Sequence, residues 1–163
     1  MTAPEATNEW DIPYTYGFRD DELIAAIRSS STCVFIRNRS DGHPVGAVVG
    51  FRVIGDEIYT ITNVLRAGYR SVRRDPRVCV VFDNPGHGAI TIIGRAEIVE
   101  DMEFIRNAYR QGAAEHYLVK QGRLTTEQYL EMALTQNRRL LHIVQEKVFS
   151  LDLSKLPMVS DIE

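Results

Sequence analysis

The chain lacks the residue patterns on which self-contained catalysis rests. Its 163 residues contain no GxSxG elbow, no HExxH pair, no GxxxxGKS/T phosphate loop and no GxGxxG after a strand. Those absences argue against serine-hydrolase, zinc-protease, P-loop and dinucleotide-fold chemistry. Cysteine is scarce: Cys33 and Cys79 each sit in an apolar run, without CxxC spacing, and read as unpaired reduced core thiols of a cytoplasmic protein. His43, His87, His116 and His142 are scattered without ligand spacing, so no metal site is expected. No apolar run reaches the length of a membrane span, and the N-terminus has no secretion signal. Internal repeats and low-complexity tracts are absent as well. Charge is nearly balanced at a net -3, which argues against a general nucleic-acid binder. Neither nucleic acid nor membrane is an expected partner.

What is present suits one globular domain, with 44% hydrophobic and 25% charged residues. Residues 1–18 read as an arm whose Trp10, Tyr14, Tyr16 and Phe18 suit a surface, that of a partner subunit for instance. Residues 19–155 read as the folded domain and 156–163 as a flexible tail. A short helix is expected from residue 20, capped by Asp20 or Asp21, with Leu23, Ile24 and Ile27 on its apolar stripe. Strands are expected at 32–37, 45–54, 57–62, 77–82, 89–99 and 142–153, with a tight hairpin at Gly55 and Asp56. The run 77–82 is continuously apolar, as in a strand buried on both faces. A turn cluster covers 84–88, and Gly94 inside 89–99 suggests a bulge or sharp bend. Helices are expected at 66–75, ended by Pro76, and after Asp101, where Met102, Ile105, Ala108 and Tyr109 share a face. Another runs from Thr125, which has capping-box spacing to Gln128, to about 139. Six strands without regular βαβ alternation suggest a closed antiparallel barrel with helices packed outside.

One block stands out for chemistry. If 66–77 is helical, Arg66, Arg70, Arg73 and Arg77 fall on one side. The helix follows a strand ending in Thr60, Ile61, Thr62 and Asn63. Hydroxyls at a strand end, a helix N-terminus and several guanidiniums make a site for a phosphate dianion. A basic solvated face paired with nearby carboxylates explains the same residues equally well. With no nucleophile in evidence, any reaction would have to be carried by a bound cofactor.

At this block the sequence resembles the flavin and deazaflavin oxidoreductases related to pyridoxamine 5′-phosphate oxidase. The likeness is carried by Asp41-Gly42-His43-Pro44, by 54–59, by 70–78 around Arg73-Arg74-Asp75-Pro76, by 94–101 and by 150–155. It implies a six-stranded antiparallel split β-barrel of Greek-key type, a homodimer with two sites between the subunits, and FMN or the deazaflavin coenzyme F420 as cofactor. By position, Val48, Val49 and Gly50 would lie beside the ring system, Ile61 and Thr62 would line the site, and Arg66, Arg70 and Ser71 would reach the phosphate. The family's phosphate lysine falls on Gly68, and a family tryptophan falls on Gly50. Losing a lysine removes a charge-assisted contact worth roughly 1.5–3 kcal/mol, which Arg66 could partly replace. Restoring it with Gly68→Lys is expected to tighten binding, provided residue 68 has a negative φ.

The expected function is hydride transfer between the bound flavin or deazaflavin and a small organic substrate, with no side chain acting as nucleophile. The alternatives are a non-catalytic carrier of flavin, haem or a lipophilic ligand, and a dimeric module whose cofactor site has lapsed.

Overall fold

The computed structural model describes residues 16–84 and 88–156. The expected arm up to residue 15, the centre of the turn at 85–87 and the tail from 157 lie outside the described residues. The first helix, α1, spans Asp20–Ser29. Arg19 rather than an aspartate is its N-cap residue, and the Arg19 N–H donates to Glu22 at 3.0 Å. Asp20 and Asp21 instead occupy the first turn, where the helix dipole favours negative charge. Leu23, Ile24 and the fully buried Ile27 press on the main core.

Seven antiparallel strands follow: β1 Cys33–Asn38, β2 Pro44–Val49, β3 Phe51–Ile54, β4 Glu57–Asn63, β5 Arg77–Asn84, β6 Gly88–Ile98 and β7 Arg138–Asp152. They form one sheet in the order β2-β1-β5-β6-β7-β4-β3, curled as a half-barrel. There are seven rather than six because the strand expected at 45–54 divides at Gly50. Val49 pairs with Cys33 of β1, whereas Phe51 pairs with Thr60 of β4. The two ends of the sheet are therefore consecutive in the chain and meet at one glycine, where the backbone can change partners sharply. Cys33, Phe35, Phe51, Val80, Phe82, Ile90 and Ile92 fill the inner face.

β5 departs from the expected burial on both faces. Val78, Val80 and Phe82 are buried, while Cys79 and Val81 between them are only partly covered. The run is uniformly apolar because its outer face is apolar too. Cys33 is buried, which pushes its thiol up to about 12; Cys79 is raised in the same direction by lesser burial. Neither is in a disulfide. The bulge expected at Gly94 is present: Ile93 faces Lys147 and Gly94 faces Gln145, which leaves Glu146 unmatched.

A second core lies between the outer face of the sheet and the helices that follow β6. These are α3 Met102–Gln111, α4 Tyr117–Lys120 and α5 Thr126–Thr135, with α2 Ala67–Arg74 earlier in the chain. Asp101 caps α3 by accepting from Glu103 and Phe104 N–H (2.9 and 3.0 Å), and Thr125 and Gln128 form the expected box on α5. Ile105, Ala108 and Tyr109 are buried against Tyr59, Ile61 and Leu140, but Met102 stays 43% exposed and drops out of the expected stripe. α5 stops at Thr135, not 139, because Asn137 adopts φ 54°, a left-handed turn that asparagine tolerates and that sends the chain into β7 early. No helix among the described residues is long and apolar enough to cross a membrane.

Candidate functional site

α2 is pinned along the ends of β1 and β4. Arg74 donates to the Asn38 carbonyl (2.9 Å) and Asn38 donates to Asp75 (3.0 Å). Ser71 and Val72 form the buried face of the helix, so Ser71 is packed inward, while Arg66, Arg70 and Arg73 share the exposed face. Arg77, expected in the same row, does not join it. It opens β5 and grips Asp75 through two bonds of 2.9 and 2.8 Å. With help from Asn38, that pair holds the Asp75 carboxyl well below the usual carboxylate range.

A fourth cation comes from another element. The inward-facing series on β1 is Cys33, Phe35 and then Arg37, so an arginine emerges where α2 covers the barrel end. A Cβ added at Gly68 would lie 3.4 Å from Arg37 Nε and 3.5 Å from its Cζ. The guanidinium therefore lies against the position where the resembled family carries its lysine. Its Nε is buried and has no hydrogen-bond partner among the described residues. Reading the sequence missed Arg37; strand parity, counting every second residue from Cys33, is the signal that could have found it.

The electrostatics around α2 are unbalanced. Its first turn holds no acid, and Arg66 at the N-cap makes no side-chain bond to the first amides. Each cation near a helix N-terminus costs about 0.3–1 kcal/mol, and an anion there gains a similar amount. Among the described residues Arg37, Arg66, Arg70 and Arg73 form no ion pair, whereas Arg19, Arg28, Arg39 and Arg77 do. A basic face paired with nearby carboxylates does not describe this cluster.

The expected ring-side residues also adjoin one another. The Gly50 carbonyl accepts from Ile61 N–H at 3.0 Å, and a Cβ at Gly50 would lie 3.3 Å from Ile61 Cδ1. Val49 and Thr62 are half-buried beside them, and Val48 is 71% exposed. Thr60 turns into the main core instead, buried and with its hydroxyl unpartnered among the described residues. Of the two strand-end hydroxyls, only that of Thr62 remains for the site.

Val48 belongs to an apolar outer face. Val34 pairs with Val48 and Val81, Ile36 with Gly46 and Cys79, and Cys79 with Ile93. These residues form a row across β2, β1, β5 and β6, with Ile93 42% exposed.

A curled antiparallel half-barrel flanked by helices, with a basic helix at one end, defines a class of small split-barrel proteins. The sequence pattern of the family described as Pyridoxamine 5'-phosphate oxidase matches residues 20–151, and the chain belongs to that family. Its fold is similar to that of a conserved hypothetical protein from Mycobacterium tuberculosis (24% identity, TM-score 0.75, covering 91% of this chain and 95% of that one). It is also similar to a candidate pyridoxamine 5′-phosphate oxidase from Listeria innocua (22%, TM-score 0.61, 80% and 96%). HutZ, the heme storage protein from Vibrio cholerae, shares the fold too (14%, TM-score 0.61, 82% and 94%). At these identities the likeness is one of fold. No curated protein matches the sequence.

Proposed function

We propose that this chain is an oxidoreductase that holds FMN or the deazaflavin F420 between the subunits of a homodimer and passes hydride to or from a small organic substrate. The observation that carries the reading is the group of four guanidiniums at α2, Arg37, Arg66, Arg70 and Arg73, which have no carboxylate partner among the described residues. A cofactor phosphate supplies the missing counter-charge. Arg37 gives from β1 the cation that residue 68 does not, and Arg66 and Arg70 add the exposed side of the clamp. Val48, Val49, Gly50 and Ile61 form an apolar wall suited to a ring, and Thr62 offers a hydroxyl beside it. When bound, the cofactor supplies the hydride chemistry; the chain contributes charge, orientation and shielding from water. Purified protein is expected to show flavin or deazaflavin absorption, or to bind one of the two saturably on titration. Binding of neither would end this reading. The fold shared with a heme storage protein supports a second reading as a haem carrier, and a Soret band in the same spectrum would select it.

The dimer reading is supported by the apolar row Val34, Ile36, Val48, Val81 and Ile93, which borders the ring-side wall. The protein is expected to sediment at twice the 18.5 kDa chain mass. Val81→Glu would bury a charge in the contact and give a folded monomer. Cys79 lies in the same row, so its thiol should label slowly in wild type and much faster in Val81→Glu. A wild-type monomer at micromolar concentration, or equal labelling in both proteins, would remove the dimer.

A further inference from the structure

A second group of uncompensated cations lies where β3 and β7 meet the C-terminal end of α3. Arg52 projects from β3 so closely onto Gly112, the C-cap residue of α3, that a Cβ there would overlap its Nε, Cζ and Nη2. Gly112 has φ -90° and ψ 0°, which any residue adopts, so the conformation does not require glycine. Only the approach of the guanidinium does. One Arg52 nitrogen donates to the carbonyl of Phe51 (2.9 Å), but its Nε is buried and unpartnered among the described residues.

Three residues before Gly112 stands Tyr109, 1% exposed, with its hydroxyl also unpartnered among the described residues. Its ring lies 6.3 Å from that of Tyr129, which in turn lies 4.3 Å from the ring of His116. Arg138, at the start of β7, completes the group. It binds the Gln136 side chain through two nitrogens and forms no ion pair among the described residues. The two guanidiniums both bear on Tyr109 and His116: burial and then the Arg138 and Arg52 charges lower the His116 pKa. Burial pushes the Tyr109 phenol up to about 12, so it remains a donor at neutral pH. The acid in the adjoining loop, Glu115, is taken by Lys120.

Capping of α3 by the two arginines is the plainer explanation, and it falls short on charge and on bonds. A helix C-terminus carries about half a negative charge, against two full positive ones. No hydrogen bond runs from either guanidinium to an α3 carbonyl. Buried donors left unpaired are costly, more so when charged: Arg52 Nε can only donate, and the Tyr109 hydroxyl, which faces the Arg138 charge and can also accept, has an O–H with no acceptor among the described residues.

We propose that Arg52, Arg138 and the Tyr109 hydroxyl bind an oxyanion, the carboxylate or phosphate group of a small molecule, at the end of α3. The site stands on its own and does not depend on what α2 binds. His116, stacked beside it, is the reporter. Its Nδ1 accepts from Leu118 N–H (3.3 Å), so the neutral ring carries its proton on Nε2. Inorganic phosphate and acetate are titrated separately into the purified protein at constant ionic strength, against chloride, while the His116 ring resonances are followed by NMR. A saturable shift with phosphate or acetate and none with chloride is expected, and the tighter of the two identifies the ligand's anionic group. Arg52→Gln should weaken binding about tenfold or more, and Tyr109→Phe, which keeps the packing, about two- to tenfold. Arg70→Ala, which disarms α2 only, should leave the response intact. No saturable shift with either oxyanion, an unchanged response in Tyr109→Phe, or its loss in Arg70→Ala would overturn the site.

Discussion

Arg70→Ala is expected to weaken binding of FMN or deazaflavin by about 1.5–3 kcal/mol, a roughly tenfold to hundredfold loss, because it removes one charge-assisted contact to a phosphate. Stability should change by less than about 0.5 kcal/mol, since Arg70 is exposed and forms no ion pair among the described residues. Arg37→Ala should match or exceed the loss in affinity, because its guanidinium is partly withdrawn from water beneath α2. The behaviour of residue 68 is the sharper test. From the sequence, Gly68→Lys is expected to tighten binding, and the backbone would accept it, for Gly68 is not among the glycines of positive φ. The structure suggests a different outcome: a Cβ at residue 68 would rest in van der Waals contact with the Arg37 guanidinium, so the lysine would bring a second cation to a place that Arg37 already serves. Gly68→Lys alone should bring no gain. The double variant Arg37→Ala with Gly68→Lys should recover most of what Arg37→Ala loses, because only one cation is needed there. Fluorescence titration of the wild type and the four variants measures each term. Equal affinity in wild type and Arg70→Ala would refute the phosphate site, and tighter binding by Gly68→Lys alone would refute the role given to Arg37.

The second large effect is on stability. At the bulge of β6, a Cβ on Gly94 would overlap the Val144 carbonyl oxygen and come within 3.1 Å of its carbon and 3.3 Å of Gln145 Cα. These are backbone atoms of β7, held by the longest pairing in the sheet, and no side-chain rotation relieves the contact. Gly94→Ala should therefore cost about 3 kcal/mol and lower Tm by roughly 6–12 °C. Gly46→Ala is the fitting control. Its Cβ would meet only Val34 and Ile36 side-chain carbons at 3.3 and 3.5 Å, on the edge strand β2, and the cost should stay under about 1 kcal/mol. Urea or thermal unfolding showing the two variants equally stable would mean that β6 and β7 do not approach as described.

Much of this was legible from local spacing. The capping pair Thr125 and Gln128, the hairpin at Gly55, the bulge at Gly94 and the exposed row Arg66, Arg70 and Arg73 all follow from rules acting over a few residues. The residues 66–75 read as a helix because Pro76 ends it and nothing before breaks it. The family itself was readable from the ordered motifs between 41 and 155.

Other features were decided by contacts between residues far apart in the chain. A run of β-favouring residues at 45–54 does not show that its two halves pair with different strands; that depends on how far the sheet curls before β2 reaches Gly50. Arg77 has the right helical spacing, but Asp75 two residues earlier claims it once Pro76 turns the chain into β5. Arg37 meets Gly68, and Arg52 meets Gly112, across 31 and 60 positions respectively. Periodicity tells which face a side chain takes, because the backbone repeats locally. Which cation finally stands beside which glycine is set by the packing of whole elements, and there the tertiary structure alone decided.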